Sequence, residues 1–173
     1  EIYRAKPKLL GFSCYIWNYS LVCRLVPALK AVLPGVKVLL GGPEVSFGPA
    51  DALAETGGDF VLSGEGEETF SRLCLALAKG ESLENVPALA WMEEGKLRQN
   101  PPGPPLELAK LPFPYPDPGA YENRILYYEA QRGCPFNCQY CLSSSEKGVR
   151  FQPLDKVKGE LQRFLDAKVR QVK

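Results

Sequence analysis

The chain has 173 residues, 45% of them hydrophobic, which is enough for one ordinary globular domain with a modest remainder. Lys and Arg number 21 against 20 Asp and Glu, so the net charge of +1 offers no global field to hold nucleic acid or an anionic membrane. Histidine is absent, which excludes from this chain a Cys/His zinc site, a Ser-His or Cys-His nucleophile pair and a histidine ligand to any cofactor.

Through residue 100, short apolar runs ending in small residues alternate with longer segments of helical spacing, the rhythm of a parallel α/β sheet. "KLLGFS" reads as a buried strand. From Trp17 to Leu33 a helical stripe of Val22, Leu25, Val26, Leu29, Val32 and Leu33 follows. Pro27 interrupts it and predicts either a kink or a later helix start. "VKVLLGG" is the second strand, Ala50 to Thr56 a short helix and "DFVLSG" the third strand. Phe70, Leu73, Cys74 and Leu77 then form an i, i+3, i+4, i+7 face, which makes Cys74 a core residue rather than a ligand. "ALAWMEEGKLRQN" reads as a hairpin turning at Glu94-Gly95.

Half of the 16 prolines fall in "PPGPPLELAKLPFPYPDP", an extended connector in which Phe113 and Tyr115 are the expected anchors onto a neighbouring surface. "RILYYEAQRGC" follows as a single strand feeding a cysteine loop. The segment "PLDKVKGELQRFLDAKVRQVK" supplies a helix with Leu154, Val157, Leu161, Phe164 and Leu165 on one face, and the next strand is expected where the chain stops. The predicted organisation is therefore an α/β domain over 1–100, a proline-rich linker over 101–122 and the start of a second domain over 123–173.

"RGCPFNCQYC" packs Cys134, Cys138 and Cys141 into eight residues, and Gly133, Pro135 and Asn137 let the loop curl so that the thiols converge. There is no apolar run of about 18 residues and no charged-then-apolar leader, which predicts a cytoplasmic protein without a membrane span. Cysteines there serve as thiols or metal ligands more often than as disulfides. Three thiolates suit an iron-sulfur cube with one iron left open. The competing readings are a zinc site completed by Cys14, Cys23 or Cys74, and a chance cluster. Zinc motifs pair C-x-x-C units, and only one such unit stands here.

Gly41 and Gly42 end a strand and permit close backbone approach to a flat ligand. Gly64-Glu65-Gly66-Glu67 turns a strand into a helix. A tight turn and helix capping account for the same glycines equally well. For Ser13 and Ser63, hydroxyls at strand ends, local backbone capping is the plain reading.

C-x-x-x-C-x-x-C with an aromatic just before the last cysteine resembles the signature of the radical S-adenosylmethionine superfamily. That resemblance implies a 4Fe-4S cluster on Cys134, Cys138 and Cys141, S-adenosylmethionine on the open iron, and Tyr140 against the cofactor. It also implies an electron donor such as ferredoxin or flavodoxin. "GFSCYIWN", "LLGGPEVSF", "DFVLSGEGEETF" and "KLPFPYPDP" resemble, in order and spacing, the cobalamin-binding module that precedes the radical domain in one subgroup. With the cysteine loop, this likeness covers nearly the whole chain. It makes Ser13, Gly41, Gly42, Ser63, Gly64, Glu65 and Gly66 the cobalamin-contacting positions, with the two serines lining the cleft for the nucleotide tail.

The implied fold is a partial flavodoxin-like (Rossmann-type) α/β sheet with a hairpin, then one β/α unit of an incomplete radical-enzyme barrel. The family's module begins with a strand and a helix ahead of Lys8, and its barrel needs several further units. The chain is therefore read as a junction fragment, inactive alone, with weak or absent cobalamin binding and an unknown small-molecule substrate. Its exposed stripe predicts self-association, or folding back of the C-terminal unit onto the first domain. The parent activity is expected to be methyl transfer or oxidative cyclisation. The alternatives are a non-catalytic cobalamin- or nucleotide-binding module and an electron-transfer or zinc-binding protein.

Overall fold

The structure is a computed structural model that describes residues 1–121, 123–145 and 148–173. The chain divides into two compact units, Glu1–Pro105 and Leu106–Lys173.

In the first unit a short helix α1 (Ile2–Ala5) precedes β1 (Leu9–Ser13), α2 (Tyr19–Val32), β2 (Lys37–Gly41), α3 (Pro49–Thr56), β3 (Phe60–Leu62), α4 (Glu67–Lys79), β4 (Leu89–Glu93) and β5 (Lys96–Gln99). These make one five-stranded sheet in the order β1-β2-β3-β4-β5. β1, β2 and β3 are parallel, and β4 and β5 add antiparallel. This is the mixed α/β architecture that the sequence predicts, with no closed barrel among the described residues.

The apolar run Val38-Leu39-Leu40 shows why the central strands carry no polar alternation: both faces of the sheet are covered. Val38, Leu40 and Val61 pack with Val22 and Val26 of α2 and Ala52 and Leu53 of α3. Leu39, Phe60 and Leu62 point the other way, onto Leu73 and Ala76 of α4, with Leu89 and Trp91 beside them. α3 starts with Pro49, whose missing N–H costs nothing in a first turn, and stops at Gly57 in the left-handed region at φ 69°.

Several expectations need correcting. α2 begins at Tyr19 rather than Trp17 and runs through Pro27, whose side is exposed. On α4 the buried line is Leu73 and Ala76. Phe70 is exposed and Cys74 only half-buried, because the helix turns the Leu73–Ala76 side to the sheet.

In the second unit, β6 (Ile125–Leu126) pairs parallel with β9 (Gln171–Val172), and α5 (Leu154–Asp166) lies between them in sequence. Between β6 and α5, β7 (Gln131–Cys134) pairs antiparallel with β8 (Gly148–Phe151). "RILYYEAQRGC" is thus two strands of two sheets, not one, because its last residues find an antiparallel partner and its first a parallel one. The next strand also begins within the chain, as β9. Phe164 is the buried centre of this unit, with ring centroids 5.1 Å from Phe113, 5.6 Å from Tyr115 and 5.9 Å from Tyr128. The Tyr128 hydroxyl donates to Glu160 Oε2 at 2.6 Å, and burial followed by this carboxylate pushes its pKa well up. Lys156 Nζ donates to the carbonyls of Ala109 and Leu111, which ties the proline-rich segment to α5.

Candidate cobalamin and cysteine sites

In a parallel α/β sheet the loops after the strands' carboxyl ends form the usual ligand site. Ser13, Gly41 and Leu62 are register neighbours at the ends of β1, β2 and β3, so the fold brings Ser13, Gly41, Gly42, Ser63 and Gly64 to one edge. The three loops there are bonded to each other. Cys14 N–H donates to Gly41 O at 2.6 Å, and Glu44 N–H to Cys14 O at 3.3 Å. The Ser63 hydroxyl donates to Ser46 O at 3.0 Å, and the Ser46 hydroxyl to Gly42 O at 2.8 Å. Asn18 folds the first loop, accepting from Tyr15 N–H at 2.8 Å and donating to Ser13 O at 2.9 Å.

Gly42 has φ 99°, and a Cβ there would lie 2.6 Å from Cys14 O. Its glycine is demanded by contact between two loops as much as by its backbone angle. Gly64, at φ 73°, differs: a Cβ would meet nothing within 4 Å, as at Gly66, so open space lies over this turn. Gly66 precedes the first turn of α4, and its carbonyl accepts from Phe70 N–H at 2.8 Å. The Glu65 carbonyl accepts from the Thr69 hydroxyl at 2.9 Å. Sequence reasoning missed Cys14, Asn18 and Ser46, which lock the loops. It also missed the stacked pair of Tyr15 and Trp17, with centroids 4.6 Å apart and Trp17 75% exposed. A tryptophan four residues after the strand end at Ser13 was the available signal. Cys14 itself is fully buried, and burial with the nearby Cys23 pushes its thiol up, which suits packing rather than reactivity. The open depression of about 460 Å³ lined by Arg72, Glu81 and Asn85 shares none of the candidate residues.

In the second unit Cys134 closes β7 and is half-buried, Cys138 is exposed and Cys141 half-buried. A Cβ on Gly133 would collide with the Gly148 carbonyl oxygen, so this glycine lets β8 approach the strand that carries Cys134. Cys141 N–H donates to Cys138 O at 3.1 Å, turning the chain between these two. Tyr140 is 93% exposed. No disulfide joins the six cysteines, and among the described residues no three Cys, Asp or Glu side chains are gathered as a metal cage. The donor chemistry nonetheless fits an iron-sulfur cube, three soft thiols on one turn-rich, largely exposed loop. The cobalamin edge fits its ligand through the open space over Gly64 and Gly66 and the exposed Trp17.

The B12 binding domain family matches residues 1–74. The chain is 36% identical over 134 residues to an uncharacterized methyltransferase, PH0819, of Pyrococcus horikoshii, covering 71% of this chain and 28% of the relative. It is 29% identical over 149 residues to the cobalamin-dependent radical SAM methyltransferase TokK of Streptomyces tokunonensis, covering 79% and 22%. The solved cobalamin-dependent S-adenosylmethionine radical enzyme OxsB, with aqua-cobalamin and S-adenosylmethionine bound, superposes with a TM-score of 0.79 at 20% identity. That superposition covers 96% of this chain and 24% of OxsB, and it shows a shared fold. Fold and relatives define an α/β module of the B12-binding class followed by a three-cysteine segment. Residues 1–74 match the B12 binding domain, and the chain as a whole is similar to cobalamin-dependent radical S-adenosylmethionine enzymes, of whose length it spans about a quarter.

Proposed function

We propose that the chain supplies the cobalamin-binding module and the cluster-binding segment of a radical S-adenosylmethionine methyltransferase. The observation that carries this reading is the interlocked edge of β1, β2 and β3, with Gly41, Gly42, Ser63 and Gly64 on it, in a region that matches the B12 binding domain. Ring-forming chemistry of the anaerobic cyclase type is the second reading, favoured by one relative, the anaerobic magnesium-protoporphyrin IX monomethyl ester cyclase of Synechocystis, 28% identical over 141 residues.

In this proposal Cys134, Cys138 and Cys141 hold a 4Fe-4S cluster, which when bound supplies the electron that cleaves S-adenosylmethionine. Tyr140 offers an exposed ring to the cofactor, and a ferredoxin or flavodoxin delivers the electron. On the first unit, Gly64 and Gly66 leave backbone open to the corrin's tail, and Trp17 presents an apolar surface beside it. Ser13 offers its exposed hydroxyl, whereas the Ser63 hydroxyl is committed to Ser46 and shapes the cleft instead. No histidine of this chain reaches cobalt. In this proposal cobalamin binding by the chain alone is weak, and the chain has no activity without further partners or domains.

The test is anaerobic reconstitution with iron and sulfide, followed by electron paramagnetic resonance with and without S-adenosylmethionine. A cluster whose spectrum shifts with S-adenosylmethionine, and which Cys138→Ala abolishes, supports the proposal. Unchanged iron content and spectrum in Cys138→Ala sinks the ligand assignment. Tight cobalamin binding in isothermal titration would contradict the weak-binding reading, and a zinc-replete, iron-free protein would favour the metal-binding alternative.

A further inference from the structure

We propose that Tyr115 is a positioning residue for the cysteine loop, its hydroxyl standing in for a neighbouring strand beside the segment that runs to Cys134. This inference rests on the cluster-binding reading above. Tyr128 N–H donates to Lys173 O at 2.9 Å, and Lys173 N–H donates to Leu126 O at 2.9 Å, so residues 126 and 128 face β9. In an extended chain the backbone groups of the residue between them point to the opposite edge. There a single hydroxyl meets both: Tyr127 N–H donates to Tyr115 Oη at 2.9 Å, and Tyr115 Oη–H donates to Tyr127 O at 2.8 Å. Only a group that both donates and accepts can do this from one atom. An open strand edge otherwise invites pairing with another chain.

The phenol is held where this requires. Its ring packs edge-on against Phe164, at 5.6 Å, and Tyr121, at 5.5 Å. Pro114 and Pro116 flank it and fix their own φ angles, and the Pro116 carbonyl accepts from Arg163 at 3.3 Å. Beyond Tyr127 the path to the cysteines is held residue by residue. Tyr128 is bonded to Lys173 and Glu160. The Gln152 side chain donates to Glu129 O, the Gln152 N–H donates to Ala130 O at 2.9 Å, and β7 then pairs with β8 as far as Cys134. Tyr127 is the position in this run whose backbone is anchored by a side chain of the proline-rich segment.

The experiment compares the whole chain with Tyr115→Phe, which keeps the ring and removes the hydroxyl. Amide exchange at Tyr127 should accelerate at least tenfold while α5 keeps its protection. Alkylation of Cys134 should accelerate at least threefold, with Cys23 and Cys74 unchanged as internal references. Replacing residue 115 by 4-aminophenylalanine, whose amine donates and accepts, should restore both rates. Wild-type alkylation of Cys134 in Tyr115→Phe overturns the proposal, because the bonds then do not position the loop. Loss of protection throughout α5 also overturns it, by showing that the hydroxyl stabilises the unit as a whole. If the wild type takes up no cluster while Cys134 responds as expected, the cluster reading fails and the positioning role stands. If a cluster forms and Cys134 does not respond, the reverse holds.

Discussion

The two units solve the same problem, holding loops at strand ends, with different resources. The first unit sandwiches its sheet between α2 and α3 on one face and α4 on the other, and its three loops are joined by backbone bonds at Cys14 and Gly41 and by the Ser46 and Ser63 hydroxyls donating to backbone carbonyls. Among the described residues the second has two two-residue strands, a four-residue antiparallel pair, short 3-10 turns and one α-helix, α5, whose Phe164 is the buried centre. A site in the first unit is shaped before any ligand arrives, so binding there pays little ordering entropy. In the second unit Cys138 is exposed, Cys134 and Cys141 are half-buried, and the described residues gather no ready-made metal cage. A metal would have to gather these cysteines, and its binding energy would become part of the unit's stability.

The largest effect that tests this contrast is expected from Phe164→Ala. Removing a buried aromatic costs about 3–5 kcal/mol, comparable to what a unit of this size has in total. Circular dichroism and limited proteolysis should show the second unit unfolded and the first intact. A cooperative second unit in the variant would mean that its core lies elsewhere. Gly42→Ala addresses the first unit. The added Cβ meets Cys14 O at 2.6 Å at a φ of 99°, and such strain costs on the order of 2–4 kcal/mol. Chemical denaturation should report that loss, and a variant as stable as the wild type would show that the loops are not rigidly locked.

A smaller effect is expected at Asp59, where burial by itself would raise the carboxyl's pKa. Lys30, the Val38 N–H and Lys37 together outweigh it and hold the group below its usual range. The folded pKa is depressed, so the stabilisation is present above the unfolded value of about 3.9 and is lost as pH falls through the folded pKa. Asp59→Asn should therefore lower the first unit's stability by about 1–3 kcal/mol at neutral pH and remove much of its fall below about pH 4. An unaltered acid profile would dismiss this carboxylate as the cause. The smallest change in stability belongs to Leu161→Glu, within about 0.5 kcal/mol at a surface position. Of the predicted exposed stripe Val157, Leu161, Phe164 and Leu165, the structure buries Phe164 as the unit's centre and half-buries Val157, leaving Leu161 and Leu165 40% and 70% exposed. If this stripe mediates the proposed self-association, sedimentation equilibrium should show a lower mass for the variant. An equal mass in both proteins would leave the stripe facing solvent.

Much of the first unit was legible in the chain itself. "VKVLLGG" and "DFVLSG" carry the continuous apolar runs of strands buried on both faces, and Glu94-Gly95 falls at the hairpin turn that joins β4 to β5. The helix register was less legible. Phe70 and Cys74 share the apolar spacing of α4 with Leu73, yet which part of a wide stripe is buried depends on the sheet's position. Ser63 was readable as a strand-end hydroxyl, but its acceptor, Ser46, stands 17 residues away on another loop. Within "RILYYEAQRGC" no local signal divides β6 from β7, because the division is made by two different partners, β9 and β8.

By itself the sequence determined the α/β class, the periodicities of its helices and strands, the three-cysteine spacing and the absence of any histidine. All of these are properties of neighbouring residues or of composition. Tertiary structure alone decided that Gly42 is needed for its contact with Cys14, that Tyr115 bonds both backbone groups of Tyr127, and that Cys134 is half-buried where its strand meets β8 while Cys138 is exposed. Each of these depends on distances between side chains and backbone that only the packed chain fixes, and no residue pattern encodes a distance between segments whose pairing is not yet known.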